Sequence, residues 1–199
     1  MKALSLTLLI SSLLIQVVFG QQPIASTSQK APAHGDGASA KPNPAPDKFR
    51  QLLARSNGAW TGHATMTFAP DAPPMTSTST LTNSMAMGGL YQVSEINYTI
   101  GGKRMTGIRV TGYDATKKIF TRAMIQDGGN GVAMEGPWDE ATRSITFLYK
   151  QLTSSGREDQ MKEVYTIADE NTEVLEIYRI DPQTRKEFKI LNVKWSRDN

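Results

Sequence analysis

The sequence predicts an all-β domain: an antiparallel up-and-down meander of about ten strands closed into a barrel, with one short helix in front. Three observations carry this reading. Runs rich in β-branched and aromatic residues recur from residue 59 onward, as in SITFLYKQL and EFKILNVKW. Turn-forming clusters separate them, with no helical run in between. The first run, AWTGHATMTF, alternates small or apolar residues with polar ones at the period of a half-buried strand. A meander of short strands must manage its edges, and closure removes them.

The elements follow in order. Residues 1–20, MKALSLTLLISSLLIQVVFG, have one lysine, a short apolar body and a small-residue exit, the pattern of a secretory signal peptide. The expected location is therefore periplasmic or secreted. The chain has no cysteine, which excludes a disulfide and a thiol-linked lipid anchor. Residues 21–46 are mostly Pro, Ala, Ser, Gly and Gln with no Phe, Trp or Tyr and almost no large aliphatic residue, too poor in apolar surface to offset ordering entropy. They are expected to form a disordered linker, and His34 within it a solvated side chain. Residues 47–199 are expected to make a single β-barrel domain. It opens with DKFRQLLARSNG, where Phe49, Leu52 and Leu53 fall at helical spacing, Asp47 is a candidate N-cap and Gly58 a candidate stop.

Ten strands are expected at 59–68, 76–86, 89–100, 104–113, 118–126, 131–138, 143–151, 160–168, 172–180 and 186–196. Their connections include a repeated D-x-x-T at Asp139, Asp169 and Asp181, with a shorter relative at Asp114. An Asp at the first turn position accepts backbone N–H groups further along the turn, so these read as hairpin turns. The acidic residues are too sparse for calcium loops.

Period-two alternation puts Trp60, Gly62, Ala64, Met66 and Phe68 inside and Thr61, His63, Thr65 and Thr67 outside. Three other strands mix polarity. One face of each holds, respectively, Tyr91 with Glu95, Phe120 with Arg122 and Met124, and Glu176 with Tyr178. Facing inward, these residues would line a cavity with aromatic and thioether groups, two carboxylates and a guanidinium. Arg122 would then need Glu95 or Glu176 as partner, since buried charge must be paired. Facing outward, they would be solvated, and a bulge is enough to change the parity. Both alternatives stay open at this point. The candidate ligand-binding set is Trp60, Met66, Tyr91, Glu95, Phe120, Arg122, Met124, Glu176 and Tyr178.

No nucleophile elbow, phosphate loop, zinc-protease helix or dinucleotide fingerprint occurs in the chain. No catalytic or metal-binding residue is assigned, and no cofactor is expected. The two histidines lack a partner for a metal, and His63 is read as a surface residue of the first strand. The formal net charge is +3, and the basic residues are scattered one or two at a time among acidic ones, without the basic stripe that nucleic acid requires. Stable membrane insertion is not expected either.

Gly58, Trp60 and Gly62, Ala72-Pro73-Pro74, Gly88-Gly89, Ser94-Glu95, Gly112-Tyr113-Asp114 with Lys117-Lys118, Asp127, Glu135-Gly136, Asp139 with Thr142, and Glu187-Phe188-Lys189 occur in a telling order. From Gly58 onward the chain resembles the bacterial domain of unknown function 1579. That resemblance implies a calycin or lipocalin-like barrel. It further implies that Trp60 closes one barrel end against a basic residue of the last strand, Lys194 or Arg197. It implies no activity. The function expected is an exported, non-catalytic binding module for a small, largely apolar or polar-headed ligand. A solid barrel serving as a structural or partner-binding domain is the alternative, with haem binding or enzymatic activity behind it.

Overall fold

The computed structural model describes residues 47–127, 131–153 and 156–198. The expected signal peptide, the expected linker and His34 lie outside the described residues.

One helix, α1 (Lys48–Arg55), precedes eleven strands: β1 (Gly58–Met66), β2 (Met75–Ala86), β3 (Tyr91–Ile100), β4 (Lys103–Asp114), β5 (Ile119–Gln126), β6 (Gly131–Gly136), β7 (Trp138–Asp139), β8 (Ser144–Leu152), β9 (Glu158–Ile167), β10 (Thr172–Ile180) and β11 (Glu187–Arg197). The expected sixth run is split into β6 and β7 by Pro137, which has no N–H to give a ladder. Every strand pairs antiparallel with its neighbours in one sheet, ordered β6-β5-β4-β3-β2-β1-β11-β10-β9-β8-β7. The first and last long strands join, with Trp60 opposite Arg197 and Gly62 opposite Trp195. The result is a nearly closed barrel. Its seam lies between β6 and β8, where no ladder is formed among the described residues. The two strands touch closely there, since a Cβ on Gly136 would stand 2.2 Å from the Thr146 carbonyl oxygen.

The Asp side chains shape the turns as expected. Asp139 Oδ1 accepts from the N–H of Ala141 at 2.8 Å and Thr142 at 3.3 Å. Asp181 and Asp114 do the same for their own turns. These backbone donors hold the carboxyls of Asp114, Asp139 and Asp181 below the usual carboxylate range. Near the end of each of these turns one residue is left-handed: Lys118, Arg143 and Arg185.

Helix α1 closes one end. Asp47 caps it by accepting from the N–H of Phe49 and Arg50 at 3.0 and 2.9 Å. The helix ends at Ser56, before Gly58, which has φ +117° and opens β1. Phe49 plunges into an aromatic cluster with Tyr113 and Phe120, at ring-centroid distances of 4.3 and 5.5 Å. The helix is fastened to the last strand. Arg197 donates to the carbonyls of Arg55 at 2.6 Å and Asn57 at 2.5 Å, while its guanidinium stacks on Trp60 at 4.2 Å. Arg197 is thus the basic residue over Trp60; Lys194 is exposed on the outer face.

Candidate functional site

Alternation decides what faces the barrel axis. On β1, Trp60, Gly62, Ala64 and Met66 point in and His63 points out. On β5, Phe120 and Arg122 point in. On β3 the inward set is Gln92, Ser94 and Ile96, so Tyr91 and Glu95 lie outside. Tyr91 packs instead across its cross-strand partner Gly112, where a Cβ would meet the ring at 2.6 Å. On β10, Glu173 and Leu175 point in, so Glu176 and Tyr178 lie outside. There Glu176 pairs with Lys189, and the Tyr178 ring sits under Lys162 and Lys189. The inward alternative is therefore corrected for Tyr91, Glu95, Glu176 and Tyr178. Each is one residue out of phase with the buried set of its strand.

The interior is layered from the helix end to the open end. Beneath α1 lies a polar layer. Glu173, fully buried, accepts hydrogen bonds from Ser56 Oγ and the Tyr165 hydroxyl. Asn83 Nδ2 donates to Ser56, and Gln92 Nε2 donates to the Leu53 carbonyl at 2.7 Å. Burial raises the Glu173 carboxyl above its ordinary value, against the pull of its two hydroxyl donors. Burial also pushes the Tyr165 phenol up, keeping it a neutral donor.

The middle layer is ionic. Arg122 Nη1 pairs with Glu163, both side chains 1% exposed, and Arg122 Nε donates to Thr111 Oγ1 at 3.0 Å. The partner is thus Glu163 on β9, in place of the expected Glu95 or Glu176. Burial lowers the Arg122 pKa, with Glu163 opposing the shift. A second guanidinium, Arg109, is 2% exposed. The Tyr165 ring lies between the two, 4.7 Å from Arg122 and 5.3 Å from Arg109, and Arg109 also faces Trp195 at 5.6 Å. Trp195 is fixed by its Nε1 donating to Ser79 Oγ at 3.0 Å. It lies flat against Gly62, where a Cβ would come within 2.3 Å of the indole. Only glycine permits that approach.

Above this floor opens a cavity of about 260 Å³. Its walls are mostly apolar, from Met66, Ile96, Met124, Met161, Leu175 and Val193, and its floor includes Arg109, Glu163 and Trp195. It runs toward the end opposite α1, where Phe68 is 54% exposed at the rim. Of the nine residues singled out from sequence, Met66 and Met124 line this cavity. Arg122 lies at its base through Glu163, while Trp60 and Phe120 belong to the packed core of the helix end. Sequence reasoning missed Arg109, Glu163 and Trp195. The available signal was a single charge on an otherwise apolar face, as in Met161, Glu163, Tyr165 and Ile167.

The sequence features of the family described as "Protein of unknown function (DUF1579)" match residues 45–197. The chain belongs to the DUF1579 family. No curated protein matches it in sequence. Among solved structures, the DUF1579 barrel is similar to the S-type phycobiliprotein lyase of Guillardia theta, with a TM-score of 0.54 at 10% identity. The likeness covers 76% of this chain and 93% of that one. At that identity the likeness is one of fold, and it places this DUF1579 member among lipocalin-like barrels.

Proposed function

We propose that this DUF1579 protein is a binding module that takes a small, largely apolar molecule into the barrel. The observation that carries the reading is the cavity itself, about 260 Å³ with thioether, aliphatic and aromatic walls and a few polar groups at its floor. Concave apolar sites with sparse polar anchors suit such ligands. The likeness to a phycobiliprotein lyase supports the barrel and leaves this chain's ligand to experiment. The apolar start of the chain supports export, so the module would act outside the cytoplasm.

The test has two parts. Native mass spectrometry of protein purified from its own host should show a mass above that of the bare polypeptide. A neutral fluorescent apolar probe, N-phenyl-1-naphthylamine, should bind and be displaced by the natural ligand. A bare mass together with no probe binding would refute the reading.

A second reading, partner binding by the outer wall, draws on one observation. Ile108 and Ile125 are directly opposed across β4 and β5 and are 49% and 64% exposed. A stable oligomer on sizing, lost on Ile125→Lys, would favour it.

A further inference from the structure

We infer that the ligand carries a single negative charge, and that Arg109 is the residue that receives it. The inference rests on the cavity reading above and specifies the chemistry of its occupant.

The argument begins with the charges inside the barrel. Four arginine and glutamate side chains are buried within the barrel among the described residues: Arg109, Arg122, Glu163 and Glu173. Three of them have their needs met by the protein. Arg122 is paired with Glu163 and bonded to Thr111. Glu173 takes hydrogen bonds from Ser56 and Tyr165. Arg109 is the exception. Its Nε and Nη1 are buried, yet no protein acceptor reaches either of them. It enters none of the ion pairs formed among the described residues. Its cation lies over the rings of Tyr165 and Trp195, which supply no oxygen acceptor.

A buried guanidinium without an acceptor is costly, and native proteins rarely keep one without a use. Arg109 forms part of the wall of the apolar cavity, with its two unpartnered nitrogens just beneath the surface. The matching group is an oxyanion, which accepts charge-assisted hydrogen bonds from Nε–H and Nη–H. A single charge fits better than two. Glu163 lines the same floor, and its carboxylate repels a dianion such as a phosphate monoester. The rest of the ligand must be apolar, because the walls above the floor are. The structure therefore points to an amphipathic monocarboxylate, its head at Arg109 and its body directed toward the rim at Phe68.

The experiment compares two matched series on the full chain: linear carboxylates from octanoate to hexadecanoate, and the primary alcohols of the same lengths. Affinities are read by displacement of N-phenyl-1-naphthylamine. Carboxylates should bind about ten- to a hundredfold more tightly than alcohols of equal length. In Arg109→Met the ratio should fall to about one, with a cooperative melt showing that the variant is folded. Equal affinity of the two series for the wild type would overturn the inference while leaving the apolar cavity reading intact. A carboxylate preference that survives in Arg109→Met would overturn the assignment to Arg109. Failure of both series and of the probe to bind would overturn both readings. The wild-type ratio stands as a test even if the variant fails to fold.

Discussion

The ionic layer makes a sharp energetic prediction at Glu163. Replacing it with glutamine keeps the shape and removes the charge. Arg122 would then keep its bond to Thr111 and its contacts with Phe147 at 4.6 Å and Tyr165 at 4.7 Å, none of which supplies a counter-charge. Its neighbour Arg109 would add repulsion, since it already acts on Arg122 as a like charge. Both members of the pair are 1% exposed, so solvent screening is slight. Breaking a buried pair from one side costs about 3–5 kcal/mol. That is a large share of the roughly 5–15 kcal/mol that stabilises a typical domain. With a urea slope of about 2 kcal/mol per molar, the unfolding midpoint of Glu163→Gln should fall by roughly 1.5–2.5 M. The assay is urea titration followed by tryptophan fluorescence, since Trp60 and Trp195 are buried. The control is Arg122→Met with Glu163→Leu, which removes both charges and their desolvation together. It should match the wild type or exceed it by about 1–4 kcal/mol. A Glu163→Gln midpoint within 0.5 M of wild type, a margin of about 1 kcal/mol at that slope, would refute the reasoning. So would a double variant as damaged as the single one.

Three further outcomes are expected. Gly62→Ala forces a Cβ into the indole of Trp195 and toward Ser79 Oγ at 2.6 Å, so it should cost about 1–3 kcal/mol and lower Tm, measured by thermal circular dichroism. Glu173 has a carboxyl raised in the folded state, so the native protein binds more protons than the unfolded chain. Its contribution is fully present below the unfolded carboxylate pKa and is lost as pH rises through the folded value; Glu173→Gln should flatten that decline in a series of urea titrations across pH. Ala64 is buried against the cavity, so Ala64→Leu should fill part of it and weaken binding of the apolar probe without loss of cooperative folding, as read by fluorescence titration and melting.

The barrel was legible because its signals are local. Each Asp-led turn builds its own hydrogen bonds, and each apolar alternation such as Trp60 to Met66 sets its own face. The helix was legible from Asp47 and the spacing of Phe49, Leu52 and Leu53. The site was legible only in part, because charges confuse the alternation. On β10 one face offers Glu173 and Leu175 and the other Val174, Glu176 and Tyr178, each with a single carboxylate. Composition cannot choose between them. What chooses is Glu173 meeting Ser56, 117 residues away in the chain, and Tyr165 across the β9–β10 hairpin. The same holds for Arg122, whose partner Glu163 lies 41 residues away and becomes its neighbour only when the barrel curls. A bulge at Ile190 on β11, opposite the step from Ile177 to Tyr178, shifts the phase of that strand as well.

The unstitched line between β6 and β8 sets how wide the vessel can be. The ring is pinned near the helix, where Gly136 abuts Thr146 and β7 pairs with Ile145. Farther along, Val132 and Tyr149 flank the gap and also touch the cavity. A hoop with a slit can change its girth without unzipping a ladder, whereas a fully bonded one cannot. Widening near the rim would therefore break no strand ladder, whereas widening at the floor would have to separate the buried Arg122–Glu163 pair.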